Sequence, residues 1–187
     1  MRRLALMVCV AVLSASVSMA QRAQGTPSKA ASAPSPILVI DTVKGTIQVQ
    51  LFRSDAPKSV DHIVDLVKRN FYRSQRVHRV VSTLVQFGDP QTRDMTKQAS
   101  WGSGSSFRPI GVAEISKRKH VRGAVGLAHA GNATLADSQI YIMKTPSPAL
   151  DGKHAIIGQV TSGMAVVDKL ERTDMIKLVT IKEAGQK

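Results

Sequence analysis

Residues 75–90 read Gln-Arg-Val-His-Arg-Val-Val-Ser-Thr-Leu-Val-Gln-Phe-Gly-Asp-Pro. The pattern predicts two short strands, 76–81 and 83–87, with three polar side chains set among apolar ones: His78, Arg79 and Gln86. The chemistry these groups offer is hydrogen bonding, from an always-protonated guanidinium, an amide that both donates and accepts, and an imidazole. Guanidinium and amide groups are costly to bury without partners, so strands this apolar rarely carry them for structure alone.

Other residues are weaker candidates for chemistry. His62 and Asp65 share a predicted helix and could ligate a metal, but both lie off its apolar stripe and read as a solvated face. Trp101-Gly-Ser-Gly-Ser-Ser106 is followed by no Gly-Lys-Ser/Thr and opens no helix, which excludes a phosphate-binding loop. The single cysteine, Cys9, lies within residues 1–20, so the chain beyond can form neither a disulfide nor a thiolate metal site. Ser116-Lys-Arg-Lys-His-Val-Arg122 reads as an exposed basic loop.

Periodicity predicts the elements that position the central segment. Residues 37–43 and 46–52 form strand-like runs around Lys44-Gly45, with Ile47, Val49 and Leu51 alternating against Thr46, Gln48 and Gln50. Gly45 supplies the positive φ of a tight hairpin. Pro57 suits a first helical position, and Val60, Ile63, Val64 and Val67 make one apolar face of a helix running to about Arg69. Asn70 is suited to a left-handed cap. A short strand is predicted at 110–115, then a small-residue strand at 123–131 that another chain can approach closely. Further strands are predicted at 137–142, 155–160 and 178–182, with a helix over 163–172 capped by Ser162. About eight strands and two helices predict a β-barrel or sandwich; the pattern does not distinguish them.

At 187 residues the chain is long enough for one domain with a sizeable core. Its amino-terminal segment reads separately: Met1-Arg2-Arg3 is basic, 4–13 is apolar, and Ser18-Met19-Ala20 is small. These features predict a signal peptide over 1–20, cleaved after Ala20; the apolar run is short of the roughly 20 residues of a membrane anchor. Residues 21–36, rich in Ala, Ser and Pro, predict a disordered linker, leaving 37–187 as the domain. The expected product is periplasmic or secreted, with no stable membrane span after cleavage, and monomeric. The formal net charge of +13 favours acidic partners. Seven aromatic residues, none interleaved with a basic run, give no stacking platform, so no nucleic-acid partner is expected.

Six collinear segments resemble one family, the cyclophilin-type peptidyl-prolyl isomerases. They are Lys44-Gly-Thr-Ile47 through Leu51-Phe52; Ala56-Pro57-Lys58-Ser59-Val60; His78-Arg79 with Gln86 and Gly88-Asp89-Pro90; Arg122-Gly123 through Leu127-Ala128-His129-Ala130-Gly131; Ser138-Gln139-Ile140-Tyr141-Ile142; and Leu150-Asp-Gly-Lys-His154 through Ile157-Gly158-Gln159-Val160. The resemblance implies a closed eight-stranded antiparallel β-barrel capped by two α-helices. It implies acceleration of rotation about X-Pro bonds in unfolded or flexible proline-containing polypeptides, here during folding of exported proteins. Arg79, His78 and Gln86 are then the expected catalytic residues. Thr83, Leu84, Val85, Ala128, His129, Gln139, Tyr141, Leu150 and His154 are expected to bind substrate. No metal or cofactor is expected.

The sequence departs from the family pattern at the pocket. Ser82 stands where the family has Pro-Gly, Thr83 where it has a large pocket phenylalanine, and Tyr141 where it has a second one. The tyrosine adds a hydroxyl that needs a partner. His129 replaces an asparagine, and Ala149 stands where some members carry tryptophan, which goes with weak cyclosporin binding. A non-catalytic binder of proline-containing segments is the rival reading. Loss of a pocket aromatic favours it, while the joint presence of His78, Arg79, Gln86 and Gln139 favours the enzyme.

Overall fold

The structure is a computed structural model that describes residues 35–182. The expected signal peptide with Cys9, and all but the last residues of the expected linker, lie outside the described residues.

Strands β1 (Ile37–Thr42) and β2 (Gly45–Leu51) form the predicted hairpin, with Thr42 opposite Gly45 and Gly45 at φ 134°. Helix α1 (Pro57–Lys68) begins at Pro57 and buries Val60, Ile63, Val64 and Val67, as the periodicity requires. Asn70 closes it at φ 57°, with the Phe71 N–H donating to the Leu66 carbonyl. At its N-terminus Ala56 gives no side-chain cap. Instead both Glu114 oxygens accept from its first free N–H groups, those of Lys58 and Ser59, at 3.0 and 2.7 Å. This corrects the strand expected at 110–115. The segment is irregular, fixed by bonds from Ile110 and Gly111 N–H to the Ala136 and Thr134 carbonyls, and it delivers that carboxylate.

The remaining elements are β3 (Arg79–Val80), β4 (Leu84–Phe87), β5 (Ala124–Leu127), β6 (Ile140–Met143), β7 (Ile156–Ser162), α2 (Met164–Lys169) and β8 (Ile176–Lys182). All ladders are antiparallel, in the spatial order β3-β4-β6-β5-β7-β2-β1-β8. The closed barrel expected from the resemblance is not formed: the sheet is an open half-barrel with β3 and β8 at its ends. Where closure would occur, one bridge joins Arg76 to Met175, flanked by single bonds such as Ser74 N–H to the Ile176 carbonyl. Ser74 at φ 60° and Thr173 at φ 83° leave the extended region there, so no ladder can propagate. The strand predicted at 76–81 is two residues long, Arg79–Val80, paired with β4.

Ser162 does not cap α2. Gly163 does, at φ 91°, without a side-chain bond; a Cβ there would lie 2.4 Å from the Thr46 carbonyl oxygen.

The main core lies inside the half-barrel under α1, from Leu38, Ile40 and Ile47 through Val85, Phe87, Ile140, Ile142 and Ile157. A second, smaller cluster of Leu84, Ala124, Tyr141, Met143 and Ile156 lies on the other face of the same strands. Alternation makes this division. On β4, Leu84 and Gln86 face one way and Val85 and Phe87 the other.

Candidate active site

The site begins as one row across the sheet. Arg79 on β3 pairs with Gln86 on β4, Gln86 with Tyr141 on β6, and Tyr141 with Gly126 on β5. Paired residues share a face, so register alone brings the guanidinium, the amide and the phenol together. Gly126 makes room for the ring: a Cβ there would sit 2.4 Å from the Tyr141 Cζ and Oη.

Hydrogen bonds then run in one direction along the floor. Arg79 Nη1 donates to Gln86 Oε1 at 3.2 Å, and Gln86 Nε2 donates to Gln139 Oε1 at 2.7 Å. Gln139 Nε2 donates to the Gly102 and Gly104 carbonyls, both at 2.8 Å. Arg79 itself is exposed, which corrects the expectation of a buried guanidinium. It spends one donor on Gln86 and keeps the rest of its fork for what enters the groove.

Two walls rise from this floor. The Gly102–Gly104 wall is anchored by the fully buried Asp89, whose Oδ2 accepts from the Gly102 and Gly104 N–H groups at 2.6 and 3.0 Å. Asp137 braces its far end, accepting from Ser106 and the Arg108 N–H and pairing with His62 at 2.9 Å. Burial works to raise the Asp137 carboxyl, but those bonds outweigh it and hold it below the usual carboxylate range. His62 is therefore neither a metal ligand nor a solvated residue; it belongs to this brace. Among the described residues no group of three or more His, Cys, Asp or Glu is placed to hold a metal ion.

The second wall is Ala128, His129 and Ala130 with His154 and Leu150. The His129 ring stacks on His154 with centroids 4.1 Å apart, and His154 meets Tyr141 edge-on at 5.9 Å. Burial, with His129 alongside, pushes the His154 imidazole below its ordinary value.

Together these residues enclose a cavity of about 430 Å³. Arg79, Leu84, Gln86, Ala128, His129, Gln139, Tyr141, Leu150 and His154, all expected at the site, line it. Three expected residues do not. Val85 is fully buried in the main core, because it alternates to the inner face of β4. Thr83 sits in the β3–β4 turn, where its carbonyl accepts from Lys144 at 2.7 Å. His78 precedes β3 and is buried behind the Gly102 loop, with neither ring nitrogen hydrogen-bonded. Burial pushes its imidazole down.

The sequence reading missed the Gly102–Gly104 wall, Ser105, Leu135 and Asp137. It also placed His120 in an exposed basic loop, whereas the residue is 2 % exposed and bonds Tyr141 Oη at 2.7 Å. The signal for that contact was the tyrosine hydroxyl, which needed a partner.

Comparison with known proteins gives a consistent result. Residues 37–186 match the family described as cyclophilin type peptidyl-prolyl cis-trans isomerase/CLD. A probable peptidyl-prolyl cis-trans isomerase of Brucella suis is 34 % identical over 164 residues, covering 86 % of this chain and 84 % of the relative. A peptidyl-prolyl cis-trans isomerase of Helicobacter pylori is 34 % identical over 148 residues, covering 78 % and 86 %. The crystal structure of a cyclophilin type isomerase from Cryptosporidium parvum shares the fold, with a TM-score of 0.68, 23 % identity, and coverage of 80 % of this chain and 98 % of that one. The half-barrel, the groove across its outer face and the match over residues 37–186 agree: the chain belongs to the cyclophilin-type peptidyl-prolyl cis-trans isomerases.

Proposed function

We propose that Arg79 drives the isomerisation by donating to the proline nitrogen as the X-Pro bond twists. The peptide C–N bond resists rotation by about 18–20 kcal/mol because of its partial double-bond character. Uncatalysed X-Pro exchange therefore takes roughly 10–100 s. Twisting ends conjugation and leaves a lone pair on nitrogen. A donor aimed there favours the twisted state over either planar ground state, which is the differential binding catalysis requires. The reading rests on one observation: the bonds from Arg79 through Gln86 to Gln139 hold the guanidinium while leaving most of its donors free beside an apolar pocket of Leu84, Tyr141 and Leu150. Gln139 and the backbone at Ala128 and His129 then hold the residues flanking proline. No step needs a nucleophile, a proton transfer or a cofactor.

The test is cis/trans exchange of a short X-Pro peptide followed by NMR on the purified protein and its Arg79→Ala variant. A fall of about two orders of magnitude, the scale of one lost transition-state donor, is expected. Peptide binding without faster exchange in the unaltered protein would sink the mechanism.

The setting of the reaction is part of the same proposal. The basic start, the apolar run of 4–13 and Ser18-Met19-Ala20 support export and cleavage after Ala20. The enzyme then acts as a monomer on exported polypeptides as they fold, without nucleic-acid partners. Ala149, exposed beside Leu150, supports weak cyclosporin binding. No helix among the described residues is long and apolar enough to cross a membrane.

A further inference from the structure

Tyr141 lies in the floor of the groove, yet its hydroxyl does not serve the groove. It meets His120 Nε2 at 2.7 Å, and the two rings stack with centroids 5.9 Å apart and planes 19° apart. The His120 side chain has no exposure at all. Its Nδ1 lies 3.0 Å from Asp151 Oδ1, and that oxygen also accepts from the His120 backbone N–H at 2.8 Å. Lys119 Nζ holds the other Asp151 oxygen at 3.3 Å.

The polarity of this chain of bonds follows from its end. The His120 backbone N–H, then its ring, hold the Asp151 carboxyl down to about 2, so at neutral pH it is a carboxylate and can only accept. Nδ1 must therefore carry a proton. With Nδ1 carrying the ring's single proton, Nε2 accepts and the Tyr141 O–H donates to it, the arrangement the tautomer measurement below reads. Burial pushes the phenol up, so it stays protonated and its only proton is spent on His120.

We propose that Asp151 and His120 are a positioning pair for Tyr141: they tie its hydroxyl off behind the groove, so that the substrate proline meets only the aromatic face. A phenol left unpartnered would either turn its polar end on the prolyl ring or carry an unpaired buried donor. Gly126 leaves room beneath the hydroxyl end of the ring and His120 bonds its tip, so that end of Tyr141 is fixed away from the groove. The proposal rests on the groove's turning over X-Pro bonds, which the exchange rate of the unaltered protein tests by itself.

The experiment is a double-mutant cycle with a spectroscopic check. Exchange of an X-Pro peptide is measured for the unaltered protein, His120→Phe, Tyr141→Phe and the double variant. His120→Phe keeps a ring and removes both nitrogens. We expect it to lose about tenfold in kcat/KM when Tyr141 is present and under about twofold when Tyr141→Phe has removed the hydroxyl. Equal losses in both backgrounds would make His120 a mere support for its loop and overturn the proposal, as would no loss in either. Long-range 1H–15N NMR of the unaltered protein reads the His120 tautomer directly, whether or not the variants fold. Protonation at Nδ1 alone is expected; a proton on Nε2 would overturn the proposal.

Discussion

His78 stands in the diagnostic motif but is buried beside the Gly102 loop and does not line the groove. It is 8 % exposed, and both its ring nitrogens lack partners among the described residues. Burial lowers its imidazole from an ordinary 6.5, against a smaller opposing effect of Asp89. In the unfolded chain the ring takes a proton near its ordinary value; in the folded chain it takes one only at lower pH. The unfolded state thus binds more protons as pH falls below about 6.5, and stability falls with it. Above that value both states are neutral and the group contributes nothing to the slope. His154 is lowered in the same direction and adds to it. We expect the urea midpoint to drop between pH 7.5 and pH 5.5, and to drop less in His78→Phe. An equal drop in the variant would show that His78 is not among the groups responsible.

Strand register decides which residues of the motif meet, and Gly126 is where register and chemistry touch. A methyl there would press on the end of a ring that His120 already holds, so the ring must move toward the groove. Gly126→Ala is expected to cost about 1–3 kcal/mol in stability, as overpacking does, and to raise KM for an X-Pro peptide. Chemical unfolding and exchange kinetics on one preparation check both, and an unchanged KM would show that the ring has room. Elements with a strong period were legible in the sequence: the hairpin around Gly45 and the face of α1 stand where alternation and helical spacing put them. Elements set by remote partners were not. A strand was expected at 110–115, but the segment is irregular and carries Glu114 to the open end of α1. Closure of the barrel depended on backbone angles at Ser74 and Thr173, which no periodicity reports. In the site, the residues that line the groove by alternation were legible, and Val85 was misplaced because the phase of a strand four residues long is hard to read from so few positions.

At the scale of the molecule, the site and the core are separate structures on two faces of one sheet. The inner face carries the large apolar core; the outer face carries the groove over a small cluster of its own. The surface around them is unevenly charged. Asp55, Asp61, Asp65 and Asp168 each hold an arginine, whereas Arg79, Lys117, Lys144, Lys153 and Lys177 hold no carboxylate among the described residues. Committed acids and uncommitted bases leave the field of the molecule positive, in keeping with the net charge of +13. Such a field reaches about 10 Å at 0.1 M salt and about 3 Å at 1 M. It acts on the encounter with substrate and not on the twisted bond, which is neutral overall. Peptides with acidic residues beside the X-Pro unit should therefore show kcat/KM falling several-fold from low to high salt, while the Arg79-dependent kcat stays level. A matched neutral peptide should show little change in either constant. Equal salt dependence for the two peptides would mean that the excess charge lies too far from the groove to select clients.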